Sequence, residues 1–295
     1  MTQGRWTILH ALVRPRLALA VALSAATGAT AAAGWTGGMG LAACACFLLA
    51  AGASVLNQVQ ERRTDGLMER TAGRPLPRGL ISPRRASLLA VSLIAAGFAL
   101  LLAMRGRPES SPLALAAAAL AIAWYNGFYT WLKRRTAFAA VPGALVGSLG
   151  PAIGWLAAGG PPASPQLLLL MLVFFLWQVP HFWLLVLKHA ADYERAGFPT
   201  PARVMGERSL RRVTFVWILA AILAALMLPV AGLVRHGVPA AALVLCAVAL
   251  GILCAPLLSA GEREDHWLSR SFSGVNLFAV AAMMLLLLDH GLRLG

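Results

Sequence analysis

The sequence predicts an all-α, polytopic membrane protein, and three observations carry that prediction. Hydrophobic residues make up 59% of the chain and charged residues only 12%, against about 25% charged in an ordinary soluble domain. The apolar residues are gathered into nine blocks, each near the ~20 residues that a bilayer crossing needs. Lys and Arg alternate from loop to loop, with 21 of the 25 in the N-terminal segment and in every second connection. Inside lipid the backbone must satisfy its own hydrogen bonds, which separate runs of this length do as helices. A transmembrane barrel would show shorter, alternating segments.

The blocks fall at 16–34, 38–57, 86–104, 112–131, 138–158, 165–187, 213–234, 238–259 and 271–289. The first follows Arg14 and Arg16 and ends near Ala29-Thr30-Ala31, as a signal peptide would. Its length and the spans behind it mark it as an uncleaved first crossing. Cys44, Cys46, Cys246 and Cys254 lie inside the second and eighth blocks without a metal-binding partner set, which points to packing. The whole chain, 1–295, reads as one intramembrane domain.

The loop bias places the N-terminus and the 2–3, 4–5, 6–7 and 8–9 loops in the cytoplasm and the C-terminus outside. The expected location is the plasma membrane, or the inner membrane of a double-membraned cell. The net charge of +14 is then largely an orientation signal. The expected partner is the lipid bilayer, with no nucleic acid.

Carboxylates are scarce, 11 in all, and five of them sit just past the second and sixth blocks: Glu61, Asp65, Glu69, Asp192 and Glu194. Asn57, Glu61 and Asp65 stand at i, i+4 and i+8. If the helix continues beyond its apolar block, they share one face. Like charges at i, i+4 repel, and a divalent cation between them reverses the sign. Mg²⁺ is commonly held by one or two carboxylates together with substrate phosphates. Arg62, Arg63, Arg70, Arg74 and Arg78 follow in the same loop, and a guanidinium is a planar fork for phosphate. Lys133, Arg134 and Arg135, with Lys188 and Arg195, reach the same face from two other loops. Glu262, Glu264 and Asp265 read as ordinary solvated loop acids. His10, His189, His236, His266 and His290 read as solvated or interfacial.

Residues 69–77 (Glu-Arg-Thr-Ala-Gly-Arg-Pro-Leu-Pro) are echoed at 194–201 (Glu-Arg-Ala-Gly-Phe-Pro-Thr-Pro). Each passage runs on to a Ser-x-Arg-Arg, at Ser82–Arg85 and Ser209–Arg212. The echo predicts two like half-sites facing each other.

From Asn57 to Pro199 the chain resembles the intramembrane prenyltransferases of the UbiA superfamily. These enzymes carry Asn-x-x-x-Asp-x-x-x-Asp after the second span and a second Asp-rich motif after the sixth. Four ordered blocks resemble the branch that farnesylates heme. They are Asp65-Gly-Leu-Met68-Glu-Arg70-Thr71-Ala-Gly-Arg74-Pro75-Leu76; Tyr129-Thr130-Trp-Leu132-Lys133-Arg134-Arg-Thr136, one residue shorter than the family pattern; Pro180-His181-Phe182-Trp183; and Asp192-Tyr193-Glu-Arg-Ala196-Gly197-Phe-Pro199. The chain departs from the family with Glu61 in place of Asp. It also has a single strong acid, Asp192, with Lys188 four residues before it.

The resemblance implies nine helices around a central cavity open toward the cytoplasm. It implies Mg²⁺ held by Asn57, Glu61, Asp65 and Asp192, with Asn57, Asp65, Asp192 and Lys133 catalytic. Arg70, Arg74, Arg134, Lys188, His181, Tyr129 and Tyr193 would bind substrate. The expected substrates are farnesyl diphosphate and heme b, the latter with His181 as a candidate iron ligand. The expected products are heme O and diphosphate, and downstream partners would be a heme A synthase or terminal oxidase assembly factors. Trp124, Tyr125, Tyr129 and Trp177 are candidate π faces for an allylic cation. The Pro180–Trp183 and Asp192–Gly197 blocks argue against a 4-hydroxybenzoate-type or chlorophyll-type acceptor. A transporter would place ionisable groups at mid-depth, whereas these blocks are nearly free of charge. A non-enzymatic heme-handling protein is the reading that Glu61 keeps open.

Overall fold

In the computed structural model, residues 4–104, 111–259 and 265–292 are described, and their regular structure is entirely helical. Among the described residues nine helices are long and apolar enough to cross a membrane. Spans 1 to 9 are Pro15–Ala33, Gly37–Asp65, Pro83–Met104, Leu113–Leu132, Ala140–Ala157, Pro165–Lys188, Glu207–Val230, Gly237–Leu258 and His266–Gly291. Each overlaps its expected block. Glu262 and Glu264 lie outside the described residues.

Spans 2, 7 and 9 run beyond their apolar blocks. Span 2 gains the most, because residues 57–65 hold Gln, Glu and Arg, which favour helix, and no Gly or Pro. Arg62 and Arg63 lie in its last turn, where cations suit the negative end of the helix dipole. The extension carries Glu61 and Asp65 past the apolar block on the same continuous helix as Asn57.

Spans 1 and 5 meet backbone to backbone. A Cβ added to Gly28 would stand 1.9 Å from the Pro151 carbonyl oxygen, and one on Gly154 1.8 Å from that of Ala25. Without a hydrophobic drive between helices in lipid, such small-residue contacts supply the packing. Spans 6, 7 and 9 pack with spans 1 and 5 into a continuous apolar core. Spans 3, 7, 8 and 9 turn Leu88, Val91, Leu223, Leu245, Ile252 and Leu277 outward, the surface that lipid covers. Before span 1 an N-terminal helix, Arg5–Val13, is tied to span 2 by Gln58 Nε2, which donates to the Leu12 carbonyl at 2.7 Å.

At the opposite end of the bundle Asp289 of span 9 accepts the backbone N–H groups of Arg235 (2.9 Å) and His236 (2.7 Å), holding the turn that leads into span 8. One expectation fails here. His290 is not solvated but buried at 4% exposure, with Nδ1 3.0 Å from the Leu286 carbonyl oxygen, because the last turn of span 9 stays inside the bundle.

Candidate active site

The loops after spans 2, 4 and 6 converge at one end of the bundle. Asn57, Glu61 and Asp65 lie along one helical face there and are buried, at 4%, 6% and 3% exposure. Each carboxylate meets a cation from another segment. Lys133 Nζ lies 2.6 Å from Glu61 Oε2, and Arg74 donates to Asp65 Oδ2 at 2.7 Å. Burial lowers the Lys133 pKa, a shift that Glu61 opposes. The second Glu61 oxygen, Oε1, is buried with no hydrogen-bond partner among the described residues, an arrangement that costs free energy unless a ligand meets it.

Asn57 is oriented by a chain of hydrogen bonds. Thr130 spends its own proton on the Tyr125 carbonyl (2.8 Å), so Thr130 Oγ1 must accept from Asn57 Nδ2 (3.2 Å). That fixes the amide and leaves Asn57 Oδ1 as the available acceptor. Tyr125 and Tyr129 lie on a π-helical segment, Ala123–Tyr129, inside span 4. Such segments re-aim side chains and recur at functional sites. The Tyr129 ring stacks with Tyr125 (6.1 Å) and with Phe182 (5.6 Å), and Lys133 Nζ lies 5.4 Å from its centroid.

Asp192 sits on a short helix, Ala190–Arg195. Its Oδ1 accepts the backbone N–H of Glu69 and its Oδ2 that of Arg70, both at 3.2 Å, and Arg195 reaches Oδ1 at 2.6 Å. It thus caps the first turn of the helix Glu69–Ala72 and ties the 6–7 loop to the 2–3 loop. Burial pushes its pKa up, but the N–H groups of Arg70 and Glu69 and the Arg195 charge pull it below the usual carboxylate value.

Tyr193 shares the field of Arg70, Glu61 and Arg74, and burial raises its pKa. The Arg70 side chain is exposed. Arg134 donates to the Gln60 carbonyl at 3.3 Å, on the outer side of the cluster. Lys188 is exposed at the end of span 6 and makes no ion pair or hydrogen bond among the described residues. His181 lies deeper, on span 6. Trp124 and Trp177 use their ring N–H groups on the carbonyls of Pro142 and Val275, so both bridge helices.

Sequence reasoning missed Arg14. It holds φ 51°, the left-handed region, between the N-terminal helix and Pro15. That turn folds the chain back so that the guanidinium shares the field of Tyr125, Arg74, Arg70 and Asp65; burial lowers its pKa. The signal was an Arg-Pro at the mouth of span 1, which the positive-inside pattern absorbed. Gly143 was missed too: a Cβ there would stand 2.5 Å from the Tyr129 ring.

Among the described residues no three His, Cys, Asp or Glu side chains form a metal-binding group on their own. Asn57 Oδ1, Glu61 Oε1 and the remaining lone pairs of Asp65, at i, i+4 and i+8 on one helical face, are an all-oxygen donor set. That set fits Mg²⁺ completed by phosphate and water better than a closed protein cage.

Acids and cations interleaved at one mouth of an apolar helical bundle define an intramembrane enzyme with a polar site for the anionic end of a lipid-like substrate. The chain belongs to the UbiA prenyltransferase family, whose model matches residues 17–285. It is similar to the protoheme IX farnesyltransferase of Geobacter sulfurreducens, 44% identical over 75% of this chain and 80% of that one. The same holds for the enzyme of that name from Oleidesulfovibrio alaskensis, 36% identical over 95% of each chain. The fold resembles the apo structure of a UbiA homologue from Aeropyrum pernix, with TM-score 0.73 and 20% identity over 96% of this chain and 100% of that one. It also resembles a UbiA homologue from Archaeoglobus fulgidus bound to GPP and Mg²⁺, with TM-score 0.57 and 17% identity over 94% of this chain and 99% of that one.

Proposed function

We propose that the chain, acting as one domain over residues 1–295, transfers the farnesyl group of farnesyl diphosphate to a vinyl group of heme b, giving heme O and diphosphate. The observation that carries the donor half is the convergence of Asn57, Glu61 and Asp65 with Lys133 and Arg74 from separate segments. The acceptor half is supported by relatives of that name at 36% and 44% identity.

Asn57, Glu61 and Asp65 would hold Mg²⁺, which when bound neutralises charge on the diphosphate, while Asp192, whose two oxygens meet the N–H groups of Glu69 and Arg70, would hold the 2–3 loop in place beside it. Arg74, Arg70, Lys133, Arg134 and Lys188, with Arg14 now added, bind phosphate oxygens. They stabilise the negative charge that grows as the farnesyl C1–O bond breaks and its electron pair leaves with diphosphate. The vinyl π electrons bond to farnesyl C1. Water then adds at the resulting cation beside the porphyrin and loses a proton, which leaves a hydroxyethylfarnesyl group. Tyr129 faces the developing cation with its π surface. Tyr193 stands over the diphosphate, and His181 contacts the heme.

On this reading the protein lies in a plasma or inner membrane with its N-terminus in the cytoplasm and its C-terminus outside, and it would hand its product to a heme A synthase or to oxidase assembly factors. A reporter fused after Gly295 should appear outside; a cytoplasmic reporter would sink the orientation. Purified protein given heme b, farnesyl diphosphate and Mg²⁺ should form the hydroxyethylfarnesyl heme, identified by mass. Prenylation of 4-hydroxybenzoate with heme untouched would overturn the acceptor assignment.

A further inference from the structure

We infer that Asn276 is a positioning residue that presents His181 Nε2 to the iron of the heme substrate as an axial ligand. The inference rests on the heme-acceptor reading above. Asn276 lies on span 9 and was not singled out by any sequence motif. Its Nδ2 donates to the carbonyl of Phe272, one turn earlier, at 2.7 Å. That bond fixes the amide, so the atom facing His181 Nδ1 at 2.7 Å is the carbonyl oxygen, Oδ1. An oxygen acceptor there requires a proton on Nδ1. In the neutral ring Nε2 then carries a lone pair and no hydrogen. A metal-binding imidazole is held in the same way, with one nitrogen donating to a carbonyl-type oxygen and the other left to the metal.

The surroundings are aromatic, as the flat apolar face of a porphyrin would require. His181 packs against Phe272 at 5.1 Å, Trp177 at 5.3 Å and Phe182 at 5.6 Å. The ring stays partly exposed, and Nε2 has no hydrogen-bond partner among the described residues. Phe182 stacks on Tyr129 at 5.6 Å, and Tyr129 lies beneath Lys133, so a wall of rings links the imidazole to the acid cluster. His181 stands seven residues before the end of span 6 at Lys188, about 10 Å deeper at 1.5 Å per residue. A heme ligated there sits below the diphosphate, at the level where a prenyl chain enters the bundle.

The competing account is that His181 and Asn276 simply glue spans 6 and 9 together, as polar pairs in membranes do. The two accounts differ in what they expect at iron. Full-length protein in detergent is titrated with ferric heme b and read by its Soret band and by electron paramagnetic resonance. The wild type should show a nitrogen axial ligand. His181→Gly should lose that signature and regain it on adding imidazole. Asn276→Leu should bind heme roughly 10–100-fold more weakly with a shifted spectrum. Asn276→Asp, which keeps an oxygen acceptor for Nδ1–H, should retain the wild-type type of spectrum. If His181→Gly and Asn276→Leu both keep the wild-type spectrum and affinity, the ligation is overturned while the farnesyltransferase reading stands. If His181→Gly fails to fold, the Asn276 pair decides alone: equal spectra and affinities for Asp and Leu overturn it. If the wild type neither binds nor prenylates heme b, the acceptor reading itself has failed and the inference goes with it.

Discussion

After span 2 the acids ride on a helix that simply continues, and they meet side-chain cations: Glu61 with Lys133 and Asp65 with Arg74. After span 6 the helix ends at Lys188 and Asp192 starts a new, short one, where it meets backbone N–H groups of the other loop. The sequences echo each other, yet the equivalent glycines differ. Gly73 is right-handed at φ −75° and Gly197 left-handed at φ 75°. The two loops are therefore not mirror half-sites. On the proposed function, the first offers its carboxylates to a metal. The second closes the first by holding the start of its helix.

The largest expected effect tests that division. Asp65→Asn keeps shape and loses charge, and it should lower turnover on the order of 100-fold or more, as loss of a group that stabilises the transition state does. Raising Mg²⁺ should recover part of the loss. Asp192→Asn should lower turnover too, but its main signature should be faster proteolysis within residues 66–82, with little recovery by Mg²⁺. Equal recovery in both variants would make Asp192 a metal ligand of the same kind as Asp65.

The Glu61–Lys133 pair gives the next effect. Lys133→Met strands a buried carboxylate, a change that costs about 3 kcal/mol in comparable pairs and should appear as a lower melting temperature. The double variant Lys133→Met/Glu61→Gln should recover most of that stability and none of the activity. Recovery of activity would show that the pair only holds the loops. Glu61→Asp is the finer probe. A ligand in altered geometry changes its Mg²⁺ dependence when shortened. If Glu61→Asp and Glu61→Gln both leave turnover and Mg²⁺ dependence unchanged, Glu61 is removed from the site.

Span number and helical fold were readable because lipid imposes one rule on every residue of a span, and block length reports it. The shared face of Asn57, Glu61 and Asp65 was readable because helical spacing is local. Three things were not. Asp192 as a clasp depends on N–H groups 122 and 123 residues away, and backbone donors leave no trace in side-chain identity. Arg14 depends on one left-handed residue turning the chain back. Asn276 lies 95 residues from His181, on a helix whose pattern announces only that it is apolar. His290 misled for the opposite reason: a polar side chain at a chain end reads as solvated, and only the packing of span 9 buries it.

The smallest expected effect is in acid, and its sign follows from the clasp. The native Asp192 carboxyl lies below its ordinary value of 3.8, burial notwithstanding, because Arg70 N–H, Glu69 N–H and Arg195 all favour the charged form. The native state therefore binds fewer protons than the unfolded chain as pH approaches that value. The clasp contributes stability above the unfolded carboxyl range and loses it as pH falls through the lower native value. His189, close by, gains charge first and adds to the field that keeps Asp192 ionised. Melting of the wild type and of Asp192→Asn can be compared at each pH, so that acids common to both cancel. The gap between them should hold or widen from about pH 7 to pH 5, as His189 gains charge beside Asp192, and close only below about pH 4. A gap that already closes between pH 7 and pH 5 would mean a carboxyl raised by burial rather than lowered by its donors. Asp192 would then be a poorly satisfied acid awaiting a cation, and the two loops would again be alike.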